Sequence, residues 1–215
     1  MASPLRVYGE GLRAAARSGS EPYARLRDGT VFRLPLTHWL GPADATDERL
    51  LDGLEGPVLD VGCGAGRHLR ALAARGVFAL GVDLSPVAVA LANDGGGRAI
   101  VGDIFEQAPG LGNWRCALLL DGNIGIGGSP VRLLERICAL LRADGELLVE
   151  TESPAGCTCL TEARIERGGV ISEWFPWARV AAPAISEVAH AGGFRVRRVW
   201  SSSGRWFARL QRSPV

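Results

Sequence analysis

Short apolar runs alternate with longer stretches of helical periodicity from Pro57 onward. A continuous apolar run of four to eight residues is typical of a buried strand, and strands that alternate with helices are typical of a parallel sheet. We therefore predict an α/β fold with seven strands. The predicted strands are 57–61, 77–82, 98–101, 115–120, 145–150, 194–200 and 205–210.

Helix start signals lie between these runs. Ser85-Pro86 and Ser129-Pro130 each place a capping hydroxyl before a proline at the first helical position, where the missing N–H costs nothing. Further helices are predicted at about 67–74 and 184–191. In the helix after Ser129 the predicted apolar stripe ends at Gly145 and consists of Val131, Leu134, Ile137, Cys138 and Leu141.

Two segments do not follow the alternation. Residues 1–56 contain a helix candidate rich in Arg and Ala and a turn at Asp28-Gly29, and we expect them to form a largely helical cover. Residues 158–180 read as a hairpin about Gly168-Gly169. We predict one domain over residues 1–215, in which the core at 57–152 follows the N-terminal cover and precedes a hairpin and terminal strands at 153–215.

The composition argues against nucleic acids and membranes as partners. The chain has 215 residues and a formal net charge of +1, so neither a basic field for nucleic acid nor an acidic tail is present. No apolar run reaches the ~20 residues of a membrane span, and we expect no signal peptide because the first residues lack a charged segment followed by an apolar one. Five cysteines, of which Cys157 and Cys159 are too close for an ordinary zinc knuckle, indicate free thiols in the cytoplasm and no metal site.

The most informative stretch is VLDVGCGAGRH, residues 58–68. Its glycines follow a predicted strand, where ligands of open parallel sheets bind. Without Cβ atoms, such a loop lets a ligand touch backbone N–H groups before the next helix begins. A dinucleotide fingerprint, G-x-G-x-x-G, would place its third glycine where Arg67 stands, whereas this chain reads D-x-G-x-G-x-G.

This pattern resembles motif I of the class I S-adenosylmethionine-dependent methyltransferases, and GVDLSP, VGDIF and LLLDGN continue the resemblance in order. It implies a Rossmann-like, mostly parallel seven-stranded sheet with helices on both faces and an antiparallel last strand. It also implies S-adenosylmethionine as cofactor and S-adenosylhomocysteine as product. The implied cofactor-binding residues are Asp60, Gly62, Cys63, Gly64 and Gly66 in the loop, Asp83 and Leu84 at the ribose, Gly102, Asp103 and Ile104 at the adenine, and Asp121, Gly122 and Asn123 at the methionine end.

Residues for the acceptor side are less well defined. His38 is a candidate general base, with a surface or packing role as the alternative. Trp39, together with Trp174, Phe175 and Trp177, is a candidate for the wall of a substrate pocket, although these rings can equally pack a hairpin onto the sheet. Tyr8 and Tyr23 are candidates to close over the cofactor. None of these residues specifies the acceptor.

The resulting hypothesis is methyl transfer to a small molecule, with O, N, S and C all open as the acceptor atom. The chain lacks the Asn/Asp-Pro-Pro-aromatic motif that grips a flipped base, which argues against a nucleic-acid substrate. The first alternative is a non-catalytic sensor or accessory protein that binds S-adenosylmethionine or S-adenosylhomocysteine. A nicotinamide-dependent oxidoreductase is the second. Oligomeric state is left open.

Overall fold

A computed structural model describes residues 1–18, 21–106 and 110–214. Its strands are β1 (Tyr23–Leu26), β2 (Val31–Arg33), β3 (Val58–Val61), β4 (Ala79–Asp83), β5 (Ala99–Val101), β6 (Trp114–Leu119), β7 (Leu141–Thr151), β8 (Cys159–Arg167), β9 (Val170–Ile171), β10 (Phe175–Arg179), β11 (Phe194–Ser202) and β12 (Arg205–Arg212). Its α-helices are α1 (Pro4–Ser18), α2 (Leu36–Leu40), α3 (Ala45–Leu51), α4 (Arg67–Ala74), α5 (Pro86–Asp94), α6 (Pro130–Leu140) and α7 (Ile185–Ala191). Short 3-10 turns span Asn123–Gly128 and Ala182–Ala184.

The seven predicted strands form one sheet in the order β11-β12-β7-β6-β3-β4-β5. Neighbours from β7 to β5 pair in parallel, and β12 pairs antiparallel with both β7 and β11. The predicted α/β fold with an antiparallel last strand is therefore confirmed. The chain order reverses between β3 and β6, so the crevice at the carboxyl ends of these two strands is where this topology places a ligand.

The core lies on both faces of this sheet. Successive residues of β6 alternate between two hydrophobic clusters: Ala117 and Leu119 belong to the one that α6 and α7 cover, whereas Cys116 and Leu118 belong to the one that α3, α4 and α5 cover. All four positions of β3 are buried. A central strand that is covered on both faces is mostly apolar, which explains the nearly continuous runs of the sequence, and Asp60 is the buried polar exception in β3.

Three predictions about helix ends meet different outcomes. The Ser85 hydroxyl accepts a hydrogen bond from the Ala88 N–H, as predicted, whereas Ser129 makes no such side-chain bond before α6. The predicted end of α6 at Gly145 is also wrong, because the helix stops at Leu140. Leu141 is extended and pairs with Trp114, so pairing with β6 draws these residues into β7. The buried positions of α6 are Pro130, Leu133, Leu134, Ile137 and Leu140.

A second, antiparallel sheet covers the first sheet's ligand edge. It has the order β10-β8-β1-β2, and β9 pairs with β8. The hairpin predicted at 158–180 is present, but the expectation of a helical cover over 1–56 is only partly right because β1 and β2 also form a hairpin there. These strands are short, and β1 gains its second partner only from β8, where Ala24 lies opposite Ile165.

Among the described residues, none of the helices combines the length and the apolar character needed to cross a bilayer.

Candidate functional site

The glycine loop joins β3 to α4 at the switch point of the sheet. Gly62, Gly64 and Gly66 have φ values of 72°, 53° and 80°, which L-residues with a Cβ rarely adopt. Space is limiting as well. A Cβ on Gly62 would lie 2.7 Å from Nδ2 of Asn123, and one on Gly66 would lie 2.8 Å from the Cβ of Ala92. Glycine is therefore favoured at these positions for both conformational and steric reasons.

The loop borders a small cavity of about 50 Å³. Five predicted cofactor residues and one predicted substrate residue contribute to the wall, together with residues that the sequence did not single out for it. The wall consists of Tyr8, Trp39, Gly62, Cys63, Gly64, Ala65, Arg67, His68, Asp121 and Asn123.

Asp83 stands at the end of β4 beside the glycine loop. Its Oδ2 accepts a hydrogen bond from the Gly64 N–H at 2.9 Å, and its Oδ1 accepts one from the Ser85 N–H at 2.8 Å. Burial raises the pKa of this carboxyl, and the two backbone donors oppose that rise. The carboxylate therefore has a fixed orientation next to the cavity, although Asp83 is not among the lining residues. Leu84 is exposed.

The three residues predicted at the adenine follow β5. The Gly102 N–H donates to the carbonyl of Asp83 at 3.1 Å, which places this segment next to the acidic end of β4. Asp103 Oδ1 accepts from the Phe105 N–H at 2.9 Å. The Ile104 side chain is buried in the core, while its carbonyl accepts from Arg136. This segment adjoins the Asp83 end of the site but does not line the cavity.

The segment after β6 is hydrogen-bonded to the start of the glycine loop. Nδ2 of Asn123 donates to the carbonyl oxygens of Val61 and Gly62, both at 2.9 Å. Asp121 has a positive φ of 56° and Gly122 one of 81°, so the chain turns sharply as it leaves the strand. These bonds connect the two strand ends on either side of the switch point.

A buried ion network lies beneath the loop, and sequence reasoning missed it. Arg67 donates to Asp47 Oδ2 at 2.5 Å and to Asp121 Oδ2 at 2.6 Å. Arg205 of β12 donates to Asp47 Oδ1 at 2.8 Å and bonds both oxygens of Glu150. Asp47 is fully buried. Its sequence signal, the spacing Asp44-x-x-Asp47, predicts a capped helix start and gives no information on distant partners.

His68 joins the same network from the first turn of α4. Its Nε2 is 3.6 Å from Asp47 Oδ1, and its Nδ1 is 3.8 Å from Asp60 Oδ2. Burial alone would lower the pKa of this imidazole, but the two carboxylates outweigh that effect and raise the pKa to about 9. At neutral pH His68 is therefore an imidazolium. Asp60, a predicted cofactor-binding residue, is buried, and its Oδ2 is the oxygen that lies 3.8 Å from this imidazolium.

His38, the predicted general base, lies against Arg67. Its Nε2 is 2.5 Å from Nη1 of that guanidinium. Because a guanidinium only donates, His38 Nε2 is the acceptor and its lone pair is engaged. His38, Asp44 and Asp47 also present ligand atoms close enough together for a metal ion, but Arg67 already contacts two of the three. The geometry in this state does not offer His38 to an acceptor.

The predicted aromatic wall is not brought together. Trp39 lines the cavity, but the ring of Trp174 contacts the guanidinium groups of Arg27 and Arg164, whose central carbons are 4.1 and 4.8 Å from the ring centroid. Phe175 and Trp177 meet edge to face at 6.1 Å. Trp177 packs on the 3-10 turn after β6, since a Cβ on Gly125 would lie 2.8 Å from its Nε1. Periodicity could not distinguish these packing roles from a pocket wall.

The two tyrosines have different surroundings. Tyr8 of α1 lines the cavity opposite the glycine loop, with its hydroxyl 3.5 Å from the position of a Cβ on Gly64. Loss of hydration, followed by the charges of Asp83, Cys63 and Asp121, raises the pKa of Tyr8 well above 10. Its phenol is thus neutral and able to donate. Tyr23 is exposed on β1.

Comparison with known proteins places this geometry in context. Residues 58–145 match the family model described as a methyltransferase domain. Among curated protein sequences none matches the chain. The solved structures with a similar fold include a methyltransferase of Bacteroides fragilis in complex with S-adenosyl-L-homocysteine. It has a TM-score of 0.79 and 20% identity, over 98% of this chain and 95% of that one.

Two further structures share the fold. The 1,6-didemethyltoxoflavin-N1-methyltransferase of Burkholderia thailandensis gives a TM-score of 0.66 at 20% identity and covers 99% of this chain and 92% of its own. The CcbJ methyltransferase of Streptomyces caelestis gives 0.61 at 18% identity, over 82% and 92%. Residues 58–145 thus match the model of a methyltransferase domain, and the chain has the fold of solved S-adenosylmethionine-dependent methyltransferases, in agreement with the resemblance read from the sequence.

Proposed function

We propose that the chain transfers the methyl group of S-adenosylmethionine to a small-molecule acceptor. The observation that carries the proposal is the cavity beside a bare, left-handed glycine loop, with Asp83 held at its rim by the Gly64 N–H. The pocket combines acidic, amide and guanidinium groups. That donor set fits a ligand with an ammonium, a carboxylate and ribose hydroxyls.

Different residues of the site would bind different parts of the proposed cofactor. Asp83 would accept from the ribose hydroxyls, and the segment 102–104 would lie beside the adenine. At the other end Asp121 would face the ammonium group. Arg67 lines the cavity, and its buried Nε has no hydrogen-bond partner among the described residues, so it would donate to the carboxylate. The bound cofactor supplies an electrophilic methyl carbon on a sulfonium, which is a good leaving group.

The remaining contribution of the protein is orientation in a dry site. Methyl transfer needs the nucleophile, the methyl carbon and the sulfur in line, and good orientation corresponds to effective molarities of ~10⁵–10⁸ M at best. Trp39 and Tyr8 contribute aromatic side chains to the wall of the cavity. Because His38 Nε2 already accepts from Arg67, an acceptor that needs no protein base, such as a free amine or a thiolate, suits this site.

The proposed functional unit is the whole chain, 1–215, because α1 and α2 contribute Tyr8 and Trp39 to the cavity wall. A small acceptor rather than a nucleic acid is supported by the net charge of +1. The Burkholderia methyltransferase structure has bound 1,6-didemethyltoxoflavin and S-adenosylhomocysteine, which supports a small-molecule acceptor here. The five cysteines are free, which supports a cytoplasmic location.

The test is calorimetric titration of ligand-stripped protein with S-adenosylmethionine, S-adenosylhomocysteine and NADH, followed by a screen of small amines, thiols and phenols for methylated product. Micromolar binding of the first two ligands and turnover of one acceptor class would support the proposal. Binding of these ligands with no turnover of any acceptor would favour the sensor function, and binding of NADH alone would refute the assignment of the glycine loop.

A further inference from the structure

Two cysteines lie side by side outside the cavity. Cys159 is the first residue of β8, and Cys157 precedes it by two positions, so in extended chain their side chains point the same way. Their Sγ atoms are 2.9 Å apart, and both residues are half-buried. Cys63 and Cys116 differ from this pair because both are buried, and burial raises the pKa of each thiol.

We propose that Cys157 and Cys159 form a redox-active dithiol, which closes to an intramolecular disulfide on reaction with a small disulfide of the glutathione type. Closure requires the sulfur atoms to approach by roughly 0.9 Å, from 2.9 Å to the ~2.05 Å of a disulfide bond. Half-burial leaves the pair accessible to a small oxidant. The proposal concerns a modification site and does not depend on the proposed methyl transfer.

A guanidinium that is also paired with a carboxylate lies beside the two thiols. Arg179 of β10 lies opposite Cys159 in the strand register, its Nε donates to Glu152 Oε1 at 2.8 Å, and its positive charge acts on both thiols. The hydrogen bond between the two sulfur atoms, ahead of burial, raises the pKa of Cys159 to about 11. Cys157 lies before the first residue of β8, outside the strand, and we assign it as the sulfur that attacks first. A nearby guanidinium favours a thiolate nucleophile.

The reaction balances in two exchange steps. The Cys157 thiolate attacks one sulfur of glutathione disulfide, forms a mixed disulfide and releases one glutathione thiolate. Cys159 then loses its proton, and its sulfur attacks the Cys157 sulfur of the mixed disulfide and releases the second glutathione. The two protein thiols lose two electrons and two protons in total, and one glutathione disulfide is reduced to two glutathiones.

The short spacing makes such a disulfide readily reversible. A bond across one intervening residue, Thr158, removes very little chain entropy, so it adds little stability to the fold. The small ring also strains the ideal disulfide geometry, and strained disulfides are the more easily reduced. Thr158 itself is held in place, because its hydroxyl accepts from the Ala181 N–H at 2.9 Å. We therefore expect the pair to respond to the glutathione ratio.

The test equilibrates the purified chain with mixtures of glutathione and glutathione disulfide, quenches with acid, alkylates with N-ethylmaleimide and maps tryptic peptides by mass. Cleavage after Arg142 and Arg164 leaves both cysteines in one peptide, 143–164. Under oxidising ratios this peptide is expected without alkyl labels and lighter by two hydrogen atoms. Cys138, in a different peptide, serves as the internal control and is expected to stay alkylated.

Single variants separate the pair from ordinary thiol reactivity. Cys157→Ser and Cys159→Ser are each expected to carry one glutathione on the remaining cysteine, whereas Cys138→Ser should close the pair as the wild type does. Three results would overturn the proposal: alkyl labels on both cysteines at every ratio, two glutathiones on the wild-type peptide, or a disulfide that joins two chains. Because the wild-type measurement needs no variant, a misfolded variant would not leave the question open.

Discussion

Replacement of His68 by asparagine removes a buried charge whose effect on stability depends on pH. His68 is 4% exposed, between the carboxylates of Asp47 and Asp60. Asparagine has a similar reach and is neutral at every pH. The wild-type imidazole takes up its proton more readily in the folded chain than in the unfolded chain, because these two carboxylates raise its pKa to about 9 from 6.5.

The magnitude follows from the linkage between protonation and folding. A raised pKa in the folded state stabilises the fold below the unfolded value of 6.5, and this stabilisation is lost as the pH rises through about 9. The interval of roughly 2.5 pH units, at ~1.36 kcal/mol for each, corresponds to about 3 kcal/mol. Since the side chain is nearly inaccessible, solvent screening reduces this figure little.

The assay is urea unfolding, followed by tryptophan fluorescence, at several values between about pH 6 and about pH 9.5. The free energy of unfolding of the wild type is expected to fall relative to that of His68→Asn by ~1.4 kcal/mol per pH unit within this window. Subtracting the variant cancels the titration of the other groups. His190→Asn, which removes an exposed histidine of α7, controls for the loss of an imidazole.

A constant free-energy difference between wild type and His68→Asn across the window would refute the reasoning. It would mean that folding does not change the proton affinity of His68, and hence that Asp47 and Asp60 do not act on it as ion partners. A difference that grows as the pH rises would refute it as well, because burial would then dominate and lower the pKa.

Three further changes test the site. Asp83→Ala should weaken the binding of S-adenosylhomocysteine by ~1.5–3 kcal/mol, measured by calorimetry, because a charge-assisted pair is lost; unchanged affinity would remove Asp83 from the ribose site. Gly66→Ala should lower the urea midpoint more than Gly204→Ala, because both glycines have a φ of 80° but only a Cβ at Gly66 would contact Ala92. Equal decreases in the midpoint would mean that backbone strain alone destabilises both variants and that the contact with Ala92 contributes nothing. Asp47→Ala should destabilise the fold by ~3–5 kcal/mol in urea titration, because two guanidinium groups lose a buried partner, and a loss below ~1 kcal/mol would show that the network is replaceable.

The central sheet could be predicted from the sequence because its signals are local. Central strands that are covered on both faces, such as β6, need nearly continuous apolar runs, and the edge strands β5 and β11 are marked by shorter or interrupted runs. The glycine loop is equally local: a left-handed backbone at the end of β3 excludes side chains, so Gly62, Gly64 and Gly66 mark the ligand edge directly. Asp83 and Asn123 could be placed because strand ends of a parallel sheet meet at that edge.

Only the tertiary structure decided the remainder, because those features depend on partners that are distant in the chain. The strand β1 is too short to be recognised alone and gains its second partner from β8, more than a hundred residues away. Arg67, Asp47 and Arg205 are ordinary surface types in sequence, and only burial turns them into a network that engages His38. The aromatic residues in and just before β10 likewise have neighbours that the sequence could not predict. Their positions in the chain do not determine whether a ring contacts a ligand, a guanidinium or a glycine.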